Sequence, residues 1–128
     1  MRTNPEIPIL GVVGPCGSGK STLIKQLERY NLPIRHIAQE HSFVQTMWQK
    51  IAHAEILIFL DATFPVSTHR RQLNWNEADY LEQHRRLAHA RQHADLYILT
   101  DDLSPTEIAD RVLFFLREQD YPFPLPPE

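Results

Sequence analysis

The segment from Gly14 to Ser21 constrains this chain more than any other, because its glycines and its lysine stand between two elements of different type. It follows the apolar run Ile7–Val13, which is typical of a strand buried on both faces of a parallel sheet. It leads into Lys20–Tyr30, whose apolar residues recur with a helical period. Glycines allow consecutive backbone N–H groups to turn inward, and a helix N-terminus adds partial positive charge. The sequence therefore predicts an anion-binding turn between a strand and a helix.

The residues of this turn match the pattern G-x-x-x-x-G-K-S of a phosphate-binding loop, or P-loop. A merely tight turn requires one or two glycines and does not account for the Lys-Ser pair that follows. In such a loop Lys20 reaches the β- and γ-phosphates and the hydroxyl of Ser21 ligates Mg²⁺. The residues expected to bind nucleoside triphosphate are Gly14, Pro15, Cys16, Gly17, Ser18, Gly19, Lys20, Ser21 and Thr22.

Apolar runs and helix-period segments alternate along the chain, as in an α/β fold. We predict a three-layer α/β/α P-loop NTPase fold with a mostly parallel sheet of about four strands, formed by residues 1–120. The predicted strands are Ile7–Val13, Ile34–Ile37, Ile56–Leu60 and Leu96–Leu99. Four helices are predicted, of which the first is Lys20–Tyr30 and the third begins at Glu77. The second follows a Ser42/Gln45 capping box and has an apolar stripe of Val44, Met47, Trp48 and Ile51. The fourth is capped by Ser104, with Pro105 and Glu107 in its first turn.

Composition excludes several classes of protein. The chain has 128 residues, of which 42% are hydrophobic and 23% charged, so a folded domain is expected rather than a disordered or coiled-coil chain. Its net charge of −3 provides no basic field for nucleic acid. No apolar run approaches the ~20 residues of a membrane span. The single cysteine, Cys16, indicates a reducing, cytoplasmic setting, and the proline-rich residues 121–128 are expected to form an extended tail.

Two further stretches resemble the P-loop small-molecule and nucleotide kinases, a group that includes adenylate, thymidylate, shikimate and gluconate kinases. Phe59-Leu60-Asp61-Ala62 followed by Arg70-Arg71 resembles the strand that leads into their lid. Asp95–Thr100, followed by Leu103-Ser104-Pro105, is similar to their last strand and final helix. A guanine-specific switch protein is excluded, since the chain has no Asn-Lys pair. The resemblance implies binding of ATP and Mg²⁺ and transfer of the γ-phosphoryl group to a small-molecule or nucleotide acceptor.

Residues 69–93 are the candidate lid of this kinase-like domain. The segment contains five of the ten arginines, namely Arg70, Arg71, Arg85, Arg86 and Arg91. Such a segment can close over phosphates and neutralise charge on the transferred group. Arg70 and Arg71 directly follow a strand and its turn, as lid arginines do in the related kinases. The alternative is a solvated helix with its arginines on the outer face.

Two acidic residues are candidates for holding Mg²⁺ or activating an acceptor. Glu40 follows the second predicted strand, and the related kinases often place an acidic ligand there. Asp61 ends the third predicted strand, where it either holds Mg²⁺ or is structural. The neighbouring His41 is a further candidate, as a donor to the acceptor. We also keep the alternative of a nucleotide-binding module or slow ATPase without phosphotransfer, acting through a protein partner.

Overall fold

The fold is built on one sheet of four parallel strands. In a computed structural model, which describes residues 8–71 and 75–120, the strand order is β2-β1-β3-β4. Every neighbouring pair is parallel. The strands are β1 (Leu10–Val13), β2 (Ile34–His36), β3 (Ile56–Asp61) and β4 (Leu96–Leu99). The predicted α/β class and the predicted four-stranded parallel sheet are confirmed.

The described residues form five α-helices and one turn of 3-10 helix, of which the last helix follows the final strand and the others lie between strands. None of these helices combines the length and the apolar character needed to cross a membrane. The helices are α1 (Lys20–Glu28), α2 (Met47–Ala52), α3 (Phe64–Arg71), α4 (Glu77–His93) and α5 (Pro105–Glu118), and the 3-10 turn is Gln39–His41.

Strand β3 divides the core into two parts, because successive side chains of a strand point to opposite faces. Ile56, Ile58 and Leu60 belong to a cluster that contains residues of α1 and α5. Leu57 and Phe59 belong to a second cluster that includes residues of α2 and α4. Helices therefore cover both faces of the sheet, an arrangement compatible with three α/β/α layers.

Several predicted boundaries shift by one to three residues. Strand β1 starts at Leu10 rather than Ile7, which lies outside the described residues, as do residues 121–128 of the predicted tail. Helix α1 ends at Glu28, and Asn31 turns the chain with a φ of 56°. The predicted start of α5 is confirmed, since the Ser104 and Glu107 side chains cap each other's backbone N–H groups.

The predicted capping box of the second helix is wrong. Ser42 Oγ makes a local contact, accepting from Val44 N at 3.1 Å, and α2 begins only at Met47. The Gln39 side chain replaces the cap, because its Oε1 accepts from Trp48 N at 2.9 Å. Gln45 instead reaches across to α4, where its Nε2 donates to Arg85 O at 2.7 Å. Val44 consequently lies outside the helix and half exposed.

Helix α3 has no counterpart in the four predicted helices. Its sequence is polar, with Ser67 buried but no apolar stripe to mark it. Pro65 lies in its first turn, a position where the missing backbone N–H is not needed by the helix. Ser67 of this helix is buried against the loop after β1. A single buried serine leaves no periodic pattern in the sequence from which a helix could be predicted.

Removing the cap of α5 should destabilise the fold measurably. We expect Ser104→Ala to lower the free energy of unfolding by about 1 kcal/mol, because Glu107 N loses its acceptor. Thr106→Ala, an exposed position in the same turn, is the matched control. Urea denaturation followed by circular dichroism checks this, and equal stability of the two variants would contradict the capping role.

Candidate functional site

A cavity of about 400 Å³ opens beyond the carboxyl ends of β1 and β2. The chain passes from β1 to β2 on one side and then to β3 on the other side of β1. Such a reversal of strand order is where open α/β sheets form ligand crevices. The cavity is lined by Cys16, Gly17, Ser18, Gly19, Lys20, Ser21, Thr22, His36, Glu40, His41 and Arg70.

The loop between β1 and α1 wraps closely around neighbouring backbone. Gly17 has a φ of 81°, and a Cβ there would lie 2.5 Å from Ser67 O of α3. A Cβ on Gly14, whose φ is 154°, would overlap the Leu60 carbonyl oxygen at the end of β3. Only glycine fits these two positions, because any side chain would displace the adjoining strand or helix. The close packing holds the loop against the sheet edge.

Lys20 is the first residue of α1 and is buried, with its side chain 7% exposed. Its ammonium group donates to Gly14 O at 2.5 Å and to Pro15 O at 3.1 Å, and it pairs with Glu40 Oε2 at 2.8 Å. The three donors of the ammonium group therefore have three oxygen partners within the protein. The lysine is held ready at the cavity by groups that an anionic ligand can replace.

Glu40 lies in the 3-10 turn that follows β2, and its side chain is 3% exposed. Burial of a carboxylate is unfavourable unless it is paired, and Lys20 supplies the pair. Its second oxygen, Oε1, is buried with no hydrogen-bond partner among the described residues, and the same holds for Ser18 Oγ. Buried polar atoms are normally satisfied. Two unsatisfied buried oxygens thus belong to residues that line one cavity.

Cys16 and two histidines, His36 and His41, also line the cavity. Gln83 of α4 accepts from Cys16 N at 3.0 Å and donates to Cys16 Sγ at 3.2 Å, so this helix holds the loop at both groups. His41 is mostly exposed, with Nε2 3.8 Å from Cys16 Sγ. Partial burial and the nearby Lys20 charge lower the pKa of His36. The His36 imidazole is therefore neutral near pH 7.

Arg70 of α3 joins the loop to the end of β4. Its guanidinium donates to Gly17 O at 3.4 Å, to Thr100 Oγ1 at 2.8 Å, to Asp101 O at 3.2 Å and to the Thr100 carbonyl. Thr100 Oγ1 also lies 2.8 Å from Ser18 O and 3.0 Å from Asp61 O. The Arg70 side chain lines the cavity, and both terminal nitrogens of its guanidinium group are hydrogen-bonded to the protein.

Asp61 does not line this cavity. Its Oδ2 accepts from Tyr97 OH at 2.6 Å, and its Oδ1 accepts from Ala62 N at 2.9 Å and lies 3.3 Å from His84 Nε2. Burial, followed by the Asp61 carboxylate, raises the pKa of Tyr97 to about 12, and the same causes raise the pKa of Tyr80 to about 12. Burial lowers the pKa of His84. The side chain thus belongs to a polar network under α4, which agrees with the structural alternative for this residue.

The arginines of the candidate lid separate into two groups. Helix α4 packs on the sheet through Gln83, Leu87 and Ala90, and none of its arginines lines the cavity. Arg85 and Arg86 pair with Glu82 of the same helix. Arg91 lies over the Tyr97 ring, and the Arg71 side chain lies outside the described part of the chain. Closure of residues 69–93 over a ligand stays a prediction.

The loop residues from Cys16 to Thr22, together with Glu40 and Arg70, are therefore brought to one cavity, whereas Gly14, Pro15 and Asp61 lie behind its wall. Sequence reasoning missed three contributors, His36, Gln83 and Thr100. Gln83 had a usable signal, since it shares the helical spacing of Leu87 and Ala90 and so faces the sheet. His36 and Thr100 had the same signal as Glu40, a polar residue at the carboxyl end of a strand.

Because of the Tyr97–Asp61 hydrogen bond, we expect the free energy of unfolding to fall at high pH. The raised pKa of Tyr97 means that the folded state favours the protonated phenol. The phenol therefore stabilises the fold fully below pH 10, and this stabilisation is lost between pH 10 and about 12. We expect Tyr97→Phe to unfold about 1 kcal/mol more easily at pH 8. The stability of this variant should fall less steeply than that of the parent above pH 10. Urea midpoints across this range check the prediction, and parallel pH profiles would contradict it.

Comparison with known proteins assigns the chain to no family. No protein-family model matches the chain, and no curated protein sequence matches it. The function is therefore argued from the sequence motif and from the contacts of the cavity.

Proposed function

We propose that the chain binds a nucleoside triphosphate, best ATP, with Mg²⁺ and transfers the γ-phosphoryl group to a small-molecule or nucleotide acceptor. The observation that carries the proposal is the buried pair of Lys20 and Glu40 beside a glycine loop. One cavity thus combines a mobile cation for phosphates, a carboxylate and a helix N-terminus. These are the groups that phosphoryl transfer requires.

The loop supports polyphosphate binding through its backbone as well as through Lys20. The first N–H groups of a helix have no partner within the helix. In α1 the first intrahelical bond is donated by Leu23 N to Gly19 O at 3.0 Å, which leaves the N–H groups of Lys20, Ser21 and Thr22 to other acceptors. A phosphate offers Lys20 a charged acceptor in place of the Gly14 and Pro15 carbonyls. Anion binding therefore exchanges bonds from Lys20 to uncharged carbonyls for bonds to an oppositely charged acceptor.

The residues present fit a hard cation such as Mg²⁺. Ser21 lines the cavity with an exposed hydroxyl, and Glu40 Oε1 has no hydrogen-bond partner among the described residues. Oxygen ligands of this kind are what Mg²⁺ takes in proteins. When bound, Mg²⁺ neutralises phosphate charge and orients the β- and γ-phosphates. Ser21 and Glu40 are the proposed holders, whereas the two carboxylate oxygens of Asp61 are engaged elsewhere.

A second, smaller cavity supports the nucleoside assignment. It has a volume of about 140 Å³ and shares Gly19, Thr22 and Arg70 with the first. Its remaining lining is apolar, as a flat nucleobase or ribose face requires. The additional lining residues are Leu23, Leu103, Pro105 and Ile108. We assign the base to this cavity and the phosphates to the larger one.

The chemistry that follows is mainly positioning and charge stabilisation. The acceptor hydroxyl gives its proton to the second lone pair of Glu40 Oε2, the oxygen not assigned to Mg²⁺. As the acceptor oxygen bonds to the γ-phosphorus, the bond to the β–γ bridging oxygen breaks and ADP is released. Lys20 and the charge of Arg70 stabilise the oxygens of the transferred group. His41, exposed at the same wall, is placed to donate a hydrogen bond to the acceptor.

The alternative is a nucleotide-binding module that acts through a protein partner, and one observation favours it. Phe43 is 78% exposed and Val44 51% exposed, directly after the turn that carries Glu40. Arg86 lies 4.2 Å from the Phe43 ring centroid and also donates to Glu40 O at 3.3 Å. A partner bound to Phe43 would therefore act on the turn that holds the Lys20–Glu40 pair.

Loss of Lys20 should remove nucleotide binding. We expect Lys20→Met to weaken ATP·Mg²⁺ binding by at least about tenfold, because a charged hydrogen bond contributes 1.5–3 kcal/mol. Lys25→Met, an exposed position on α1, is the matched control and should bind as the parent does. Isothermal titration calorimetry measures both, and equal affinity of Lys20→Met and the parent would sink the proposal.

The same substitution leaves Glu40 buried and unpaired, so it is expected to lower the free energy of unfolding by about 3–5 kcal/mol. The double variant Lys20→Met/Glu40→Gln removes that charge and should recover stability without recovering ATP binding. Thermal unfolding of the single and double variants therefore separates a lost ligand contact from a lost fold.

Acceptor-stimulated ADP formation distinguishes the kinase from the binding module. We expect one class in a panel of nucleosides, nucleotides and sugar-like alcohols to accelerate ADP formation by the parent. Glu40→Gln should reduce that rate by about 10²-fold or more and raise the Mg²⁺ concentration needed. Asp61→Asn should leave the Mg²⁺ requirement unchanged. Binding of ATP without acceleration by any acceptor would favour the module.

A further inference from the structure

Three metal-ligating side chains of different chemistry meet at the mouth of the larger cavity. Cys16 Sγ, a Glu40 carboxylate oxygen and His41 Nε2 all lie within 4.8 Å of one another. The Sγ–Nε2 distance is 3.8 Å, and Nε2 lies 3.9 Å from Glu40 Oε2. Two of these residues come from the turn after β2 and one from the loop after β1. The sheet topology therefore brings a thiol, a carboxylate and an imidazole close to one another.

The spacing is close to that of a tetrahedral metal site. Zinc bond lengths of 2.0–2.3 Å place ligand atoms about 3.3–3.6 Å apart at tetrahedral angles. The observed separations exceed this range by tenths of an ångström for the Cys16–His41 and His41–Glu40 pairs. Exposed His41 can close this gap by side-chain rotation alone.

The surroundings of the cluster favour a thiolate ligand. Gln83 Nε2 donates to Cys16 Sγ at 3.2 Å, and N–H donation to a ligand sulfur stabilises its negative charge and its orientation. Glu40 has one oxygen paired with Lys20 and one buried oxygen without a partner among the described residues. The oxygen that lies 3.9 Å from His41 Nε2 is Oε2, the one paired with Lys20, so a cation in this cluster shares that oxygen with the Lys20 ammonium group. A carboxylate oxygen has two lone pairs, so it can accept from the lysine and bind a cation at the same time.

From this cluster we infer a thiophilic metal site in which Cys16, Glu40 and His41 bind Zn²⁺ or a cation of the same class, with the fourth position open. A thiolate with imidazole and one carboxylate suits Zn²⁺, whereas Mg²⁺ takes oxygen ligands. The site shares Glu40 with the proposed Mg²⁺ site, which uses Ser21 and no sulfur.

Occupation of the site should oppose nucleotide binding, a consequence that rests on the proposed function. The metal would fix the loop at Cys16 to the turn at His41 and engage the carboxylate that the nucleotide site requires. We therefore expect one equivalent of Zn²⁺ to weaken ATP·Mg²⁺ binding by about tenfold or more.

Cobalt provides the direct test, because Co²⁺ occupies zinc sites and absorbs in the near ultraviolet when a thiolate binds it. The full, reduced, metal-free chain is titrated with Co²⁺ in the absence of nucleotide. Cys16 is the sole cysteine of the sequence, so any thiolate band reports this residue. The expected result is a band that saturates at one equivalent, disappears in Cys16→Ser, and is bleached by Zn²⁺ but not by excess Mg²⁺.

Two histidine variants test the rest of the cluster. His41→Ala should weaken Co²⁺ binding by at least about tenfold, whereas His69→Ala, an exposed histidine on α3, should not. Absence of the band, or equal Co²⁺ affinity in His41→Ala and the parent, overturns the site. Unchanged ATP affinity with Zn²⁺ bound overturns the competition. Failure of the metal-free chain to bind ATP contradicts the proposed function alone, since the cobalt band is recorded without nucleotide.

Discussion

The buried ion pair between Lys20 and Glu40 is the interaction on which the rest of the site depends. Two charges removed from water are stable only when each is fully compensated, and here the compensation is shared with the Gly14 and Pro15 carbonyls. That requirement fixes the loop after β1 against the turn after β2. The same pair leaves one carboxylate oxygen without a hydrogen bond inside the described structure. The fold thus leaves a buried carboxylate oxygen that a bound cation or a hydrogen-bond donor would satisfy, and such an oxygen marks a candidate binding site.

The loop itself is positioned by contacts from three separate parts of the chain. Gln83 of α4 binds the backbone and the sulfur of Cys16. Arg70 of α3 and Thr100 after β4 bind Gly17 and Ser18. Because these contacts come from separate elements, the geometry of the loop depends on the completed tertiary structure rather than on its glycines alone. Movement of α3 or α4 would be transmitted directly to the cavity, which gives the predicted lid segment a physical connection to the site even while it packs on the sheet.

Much of this architecture could be predicted from the sequence, since buried parallel strands and amphipathic helices leave strong patterns. The four strands and the cap at Ser104 are examples in which a local signal and the tertiary structure agree. The errors arose where tertiary contacts replaced local ones. The Gln39 side chain caps α2 from outside the helix, so the local Ser42 signal was misleading. The choice between Asp61 and Glu40 needed the side-chain contacts as well, because β2 and β3 both lie beside β1. Both carboxylate oxygens of Asp61 are hydrogen-bonded, whereas Glu40 Oε1 has no partner among the described residues.

The proposed function rests on the polar residues at the carboxyl edge of the sheet. Strands β2 and β3 end in His36 and Asp61, Thr100 directly follows β4, and parallel strands bring these ends to one edge. Asp61 shows that position alone is insufficient, since its carboxylate oxygens are consumed by Tyr97 and the Ala62 N–H. Glu40 differs because the charged group bonded to it, Lys20, lines the same cavity. In the two proposals this carboxylate binds a hard cation together with Ser21 or a thiophilic one together with Cys16. The two proposed sites differ in which neighbour joins Glu40, so the two cations would compete for one carboxylate.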